Sequence, residues 1–159
     1  MLKIAQEAVA LLQARGLTVG TCESLTGGMI CAALVDVPGA SRVVRGGLIT
    51  YQTDTKTLLA GVDAALIEAH GVVSGEVARA MAEGARARLG VDIAVSATGM
   101  ASPGEENDPP AGTVYVGVAS EKGVRAIPLQ LEGTRQEIRQ QTVEQAILAI
   151  IAEAKEHHA

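Results

Sequence analysis

An α/β fold, with a mixed and mostly parallel sheet held between layers of helices, is predicted by three features of the chain. Helical and strand periodicities interleave from one end to the other. A β-type run at 17–22 passes through Cys22-Glu23-Ser24-Leu25-Thr26-Gly27-Gly28 into an apolar helical run beginning at Met29. Such strand-to-helix junctions are where open α/β sheets keep their chemistry. Late in the chain, two alternating runs, 113–119 and 124–131, read as an antiparallel pair.

The elements follow in order. Residues 2–15 set Ile4, Ala5, Ala8, Val9, Leu11 and Leu12 largely on one side at helical spacing, and Gly16 supplies the stop. The strand at 17–22 leads through the junction to a helix ending near Leu34, and Val37-Pro38-Gly39-Ala40 is a turn. Residues 43–51 read as a strand whose Gly46-Gly47 pair predicts a bulge or a close backbone approach. Short helices are expected at 53–60 and 63–69. A longer one at 75–88 takes Ser74 as its N-cap and Glu76 as an acid in its first turn. Residues 91–98 alternate as a strand does. The Gly- and Pro-rich stretch after it, 99–110, is too long for a tight turn and reads as a functional loop. A final helix spans 134–155 with Ile138, Val143, Ile147, Ile150, Ile151 and Ala154 as its stripe, and a frayed tail is expected from Lys155 to Ala159. No repeat or interior linker interrupts the 159 residues, so a single domain over 1–159 is expected.

Composition narrows the function classes. Hydrophobic residues make up 48% of the chain, enough for a packed core, while Tyr51 and Tyr115 are its only aromatics, so base-stacking platforms are excluded. Thirteen basic residues against eighteen acidic ones give a net charge of −5, the wrong sign for duplex binding, so no nucleic-acid partner is expected. Cys22 and Cys31 lack CxxC spacing and form no ligand pattern with His70, His157 or His158; no metal is expected. The N-terminus is an amphipathic helix start. No apolar run nears the roughly 20 residues of a membrane span, so a cytoplasmic protein without a membrane partner is expected.

The junction offers hydroxyls, two glycines that let a ligand approach the backbone, and the free amides of a helix start. GxxxxGK[ST], GxGxxG after the first strand and GxSxG are all missing. If Ser24 is a nucleophile, its base is not histidine. Lys56 is the natural candidate, since a partly buried neutral lysine can deprotonate serine. Tyr51 is a candidate to hydrogen-bond the serine or relay its proton, and the amides of Thr26, Gly27 and Gly28 to hold an oxyanion or a phosphate. Together they would make an acyl-transfer site without metal or other cofactor. Each also has a plain structural role: Ser24 or Thr26 as a helix cap, Lys56 as a solvated lysine, Tyr51 as half-buried packing, Gly46-Gly47 as relief of crowding. Arg135 and Arg139, one turn apart, would ordinarily face solvent, or bind phosphate near the helix start.

Six segments in register resemble the CinA C-terminal-domain family, the nicotinamide-mononucleotide deamidases, over nearly the whole chain. They are Glu23–Gly28, Asp36–Ser41, Gly46–Tyr51 with Lys56, Gly71–Ser74, Ala97–Gly104 and Gly112–Tyr115. The resemblance implies a three-layer α/β/α sandwich and hydrolysis of nicotinamide mononucleotide to nicotinic acid mononucleotide and ammonia. By motif position, Ser24 resembles the family's nucleophile, Lys56 its activating base and Tyr51 the tyrosine that accompanies them. Thr26, Gly27 and Gly28 match the cradle beside the serine, and Thr98 and Gly99 the second substrate loop. Gly47 and Arg135 complete the expected substrate-binding set. The family also implies a homo-oligomer, and this chain resembles its stand-alone form, without the larger N-terminal domain many members carry.

Two departures bear on substrate binding. Ala101-Ser102-Pro103-Gly104-Glu105 stands where many relatives have Ala-Gly-Pro-Gly-Gly, and Glu105, Glu106 and Asp108 would oppose a phosphorylated ligand if they pointed inward. Gly133-Thr134-Arg135 replaces the more usual Gly-Asp-Arg, losing an acid that can orient the arginine. The alternative expectation is therefore a non-catalytic pyridine-nucleotide-binding module of the same fold.

Overall fold

The computed structural model describes residues 1–157. The elements are α1 (Lys3–Arg15), β1 (Val19–Glu23), α2 (Met29–Val35), β2 (Val44–Ile49), α3 (Thr53–Ala60), α4 (Ala64–His70), α5 (Gly75–Leu89), β3 (Ile93–Gly99), β4 (Thr113–Ser120), β5 (Gly123–Gln130) and α6 (Arg135–Glu156). The order across the sheet is β2-β1-β3-β4-β5. β1 pairs in parallel with β2 and β3, while β4 runs antiparallel to β3 and β5. Four strands thus share one direction and β4 alone is reversed, as the late alternating runs predict.

Chain direction explains the layers. The step from β1 to β2 moves one way along the sheet, and the step from β2 to β3 returns across β1. Right-handed crossovers moving in opposite directions set their helices on opposite faces. Accordingly α2 packs with α1 and α6 on one face, and α5 covers the other with α3 and α4 against it. Each face has its own apolar core. Leu12, Ile30, Leu34, Ile93, Val95, Ile147 and Ile150 fill the first, and Cys22, Val62, Ile67, Val77, Met81 and Ala94 the second. The period-two alternation of β3 divides between them. Ile93, Val95 and Ala97 enter the first core. Ser96 and Thr98 turn the other way, donating to the carbonyls of Ala78 (2.6 Å) and Val72 (2.8 Å). No described helix is long and apolar enough to cross a membrane.

Local details match several expectations. Gly16 closes α1 at φ 65°, and the Ser74 hydroxyl accepts from the Val77 amide at the start of α5. The predicted bulge lies on β2, where Val19 faces Val44 but Gly20 faces Gly46, leaving Arg45 as the extra residue. The C-terminus differs. α6 continues through Glu156 because Arg15 caps it, donating to the carbonyls of Ala154, Lys155 and His157 at 3.2, 3.3 and 2.6 Å. The fraying expected from Lys155 onward does not apply to that residue or to Glu156, and residues 158 and 159 lie outside the described chain.

One glycine sets how closely α3 approaches α5. A Cβ at Gly84 would run into the carbonyl oxygen of Ala60. Gly84→Ala is expected to destabilise the fold by about 1–3 kcal/mol through overpacking, read as a lower urea midpoint with an unchanged slope.

Candidate functional site

β1 and β3 end side by side where the chain's connections diverge, the crevice in which open α/β sheets bind ligands. A cavity of about 300 Å³ opens there. Six of the residues expected from sequence line it: Ser24 after β1, Tyr51 after β2, Lys56 on α3, Thr98 and Gly99 at the end of β3, and Arg135 at the start of α6.

Lys56 is 1% exposed and Ser24 9%. The Lys56 Nζ donates to Ser24 Oγ at 3.1 Å, to the Thr50 carbonyl at 2.6 Å and to the Tyr51 carbonyl at 3.3 Å. Among the described residues no carboxylate pairs with it. Burial pushes the ammonium below its ordinary value of 10.5. A Cys22 thiolate would pull it back, but burial pushes that thiol up to about 11, so near neutral pH the opposing charge is absent. An ammonium has three N–H groups for these three acceptors. A neutral amine keeps two for the carbonyls and turns its lone pair to the serine hydroxyl. The arrangement therefore suits a lysine that takes a proton from Ser24.

The Tyr51 side chain departs from its expected place. Thr50 is buried, and the Tyr51 side chain, two residues past the end of β2, lies outward at 56% exposure. Its hydroxyl accepts from Arg135 Nη2 at 3.1 Å, and among the described residues it makes no hydrogen bond to Ser24. It is the Tyr51 main-chain carbonyl, not the phenol, that reaches the lysine. A proton relay through the tyrosine is not what this geometry offers.

Arg135 Nη1 donates to Ser102 Oγ at 3.0 Å, and no carboxylate among the described residues neutralises the guanidinium. Thr134 caps α6 in a reciprocal capping box with Glu137, both bonds 3.2 Å. Thr134 supplies the helix cap, and Ser102 with Tyr51 orients the arginine. Glu105, Glu106 and Asp108 are exposed and lie outside the cavity lining, with the Asp108 carboxylate accepting from the Glu105 amide at 2.8 Å.

Four expected residues stand away from the cavity lining: Thr26, Gly27, Gly28 and Gly47. At Gly28 and Gly47 the protein's own side chains come close to the missing Cβ. A Cβ at Gly28 would press on Ile49, and one at Gly47 would strike Thr21 Oγ1 and Cys31. Gly27 and Gly28 also take left-handed backbone, φ 57° and 103°. Neither Ser24 nor Thr26 caps α2; Thr26 is buried, and its hydroxyl lacks a partner among the described residues.

The carboxylate of Glu23, which motif reading passed over, occupies the start of α2. It is 1% exposed and accepts from the amides of Ile30 (2.8 Å) and Cys31 (3.0 Å) and from Thr21 Oγ1 (3.0 Å). The helix-start amides expected to be free for an anion are thus held by the protein's own acid. The signal was present in the sequence as an acid between the β-type run at 17–22 and the apolar helix that follows. Before the helix, the amides of Leu25 and Thr26 find no acceptor among the described residues, and Leu25 lines the cavity. No group of three or more His, Cys, Asp or Glu among the described residues is gathered to hold a metal ion.

Comparison with known proteins bears on the family and the fold. The family model of the CinA C-terminal domain matches residues 1–154. A CinA-like protein of Gemmatimonas aurantiaca is 48% identical over 134 residues, covering 84% of this chain and 31% of its own length. One from Chlorobaculum tepidum is 43% identical over 154 residues, covering 93% and 36%. The chain thus spans about a third of the length of the curated relatives it matches. Among solved structures, a CinA superfamily protein from Klebsiella pneumoniae superposes with a TM-score of 0.93 at 27% identity, covering 98% of both chains. The competence/damage inducible protein CihA from Agrobacterium tumefaciens superposes with a TM-score of 0.90 at 35% identity, covering 94% of this chain and 93% of its own. With a family match over almost its whole length and the same three-layer architecture, this chain belongs to the CinA C-terminal domain family.

Proposed function

We propose that the chain is an amidohydrolase converting nicotinamide mononucleotide to nicotinic acid mononucleotide and ammonia, with Ser24 as nucleophile and Lys56 as its base. The observation that carries this is the buried Lys56 Nζ, 3.1 Å from Ser24 Oγ, held by two carbonyls and no acid. Ser24 Oγ attacks the carboxamide carbon while neutral Lys56 takes the hydroxyl proton. The tetrahedral oxyanion is met by the Leu25 amide, which has no acceptor among the described residues and belongs to the cavity lining. Lys56 returns the proton to the departing nitrogen, the C–N bond breaks, and ammonia leaves an ester on Ser24. Water, deprotonated by the same lysine, attacks that ester and releases the carboxylic acid and the serine.

The unneutralised Arg135 at the cavity mouth suits the substrate's phosphate. Arg135→Ala is expected to raise KM about 10–100-fold, the loss of a charge-assisted contact, and to leave kcat within a few-fold. Steady-state kinetics separates the two. The acidic residues that would favour a non-catalytic binding module stand outside the cavity lining, so no observation now supports that alternative. The decisive experiment measures ammonia release from nicotinamide mononucleotide by wild type and Ser24→Ala. Release that Ser24→Ala abolishes supports the proposal. Calorimetric binding without release by folded wild type would overturn it in favour of a binding module.

A further inference from the structure

We infer that Arg139 is a positioning residue that orients and polarises the peptide next to Ser24, an inference that rests on the amidohydrolase proposal above. Arg139 lies one turn beyond Arg135 on α6 and by spacing alone would face solvent. It instead reaches across to the junction loop. Its Nε donates to the Leu25 carbonyl at 2.7 Å and its Nη2 to the Thr26 carbonyl at 3.3 Å. Nη1 is held at 3.1 Å by Gln136 Oε1, and among the described residues no carboxylate neutralises the guanidinium.

The consequence follows from peptide geometry. In a trans peptide the N–H points opposite the C=O of the same unit. The Leu25 carbonyl and the Thr26 amide are one unit, so a guanidinium on that carbonyl aims the Thr26 N–H away from itself and withdraws charge from it, making it a stronger donor. The preceding unit is fixed in the same manner, because the Gly27 amide donates to the Ser24 carbonyl at 3.1 Å and so orients the Leu25 N–H. Two successive amides beside the serine are thus left without acceptors among the described residues while both their carbonyls are engaged. Leu25 lines the cavity and Thr26 is buried behind it, so the Leu25 N–H is the donor that a developing oxyanion reaches, and the grip of Arg139 on the Leu25 carbonyl holds that residue in place before the reaction. α6 therefore serves the site twice, through Arg135 at the mouth and through Arg139 behind the loop.

The test uses Arg139→Met and Arg139→Lys in the full chain, assayed for ammonia release from nicotinamide mononucleotide and examined by amide NMR. A transition-state role predicts that Arg139→Met lowers kcat about 10–100-fold, short of the 10²–10³ for deleting an oxyanion donor outright, with KM within about two-fold. Arg139→Lys, which keeps the charge but bonds only one carbonyl well, is expected to fall between. In Arg139→Met the Thr26 15N resonance should move upfield as the polarising bond is lost. An unchanged kcat in folded Arg139→Met, or a loss entirely in KM, would overturn the inference. If wild type releases no ammonia, the amidohydrolase proposal fails separately, and an unmoved Thr26 resonance then still disproves the polarising contact.

Discussion

Lys56→Met is expected to lower ammonia release by about 10³-fold or more, near the upper end for removing a general base that also serves as the acid. Methionine keeps most of the unbranched stem, so the packing around α3 survives and the loss falls on the proton transfers. Lys56→Arg should be as inactive, because a guanidinium stays charged at any working pH and has no lone pair to offer. The wild-type pH profile carries the same information. Only neutral Lys56 can take the serine proton, so kcat/KM should rise with pH and level off above the lysine's folded-state pKa. Burial moves that point below 10.5. A kcat/KM with no rising limb anywhere below pH 10.5 would remove Lys56 from the role of base, even if the variant were inactive.

Stability should respond in the matching direction. Between the lowered pKa of Lys56 in the folded state and its ordinary 10.5, the unfolded chain binds more protons than the native one. Unfolding free energy attributable to this group therefore rises with pH in that window and is flat below it. Urea midpoints of wild type minus Lys56→Met, taken across that window, should show this slope. No slope would mean that the lysine is not held against its charge.

What the chain discloses about itself divides along a physical line. Patterns repeated over many residues were legible. The interleaved helix and strand periods, the antiparallel runs at 113–119 and 124–131 and the glycine pair of β2 led to the mixed sheet, the helix layers and the bulge. Ser24 and Lys56 were legible as a pair only through the motifs around them, since periodicity gives no distance between positions 32 apart in sequence. The acceptors that hold Lys56, the carbonyls of Thr50 and Tyr51, leave no trace in side-chain identity, because every residue carries a carbonyl. The glycines were legible only in part, for a related reason. A missing Cβ shows that something comes close, and at Gly28 and Gly47 it is Ile49, Thr21 and Cys31. Tyr51 was placed by its neighbours in sequence, but past the end of β2 its ring turns to Arg135.

Glu23→Ala is expected to be the most destabilising single change at the site, and to act on the fold before the chemistry. The carboxylate is buried, yet its bonds all run to groups that would otherwise be orphaned: the Ile30 and Cys31 amides at the start of α2 and the Thr21 hydroxyl beneath them. Removing it leaves those donors buried without an acceptor and opens a void beside β1. At about 1.5–3 kcal/mol for a hydrogen bond to a charged group, and with bonds in one network not additive, a loss of about 3–4 kcal/mol is expected. For a domain of this size that lowers Tm by about 10 °C. Glu23→Gln should recover only part of it, since an amide offers one acceptor oxygen and turns an NH2 toward a donor that needs one. Because Ser24 follows Glu23 directly, the surviving folded fraction should also show reduced kcat as the loop before α2 loosens. Thermal melts of the two variants beside wild type provide the check. A Glu23→Ala protein melting within a degree or two of wild type would mean that water replaces the carboxylate at the helix start, and that the acid is not what fixes the serine's loop.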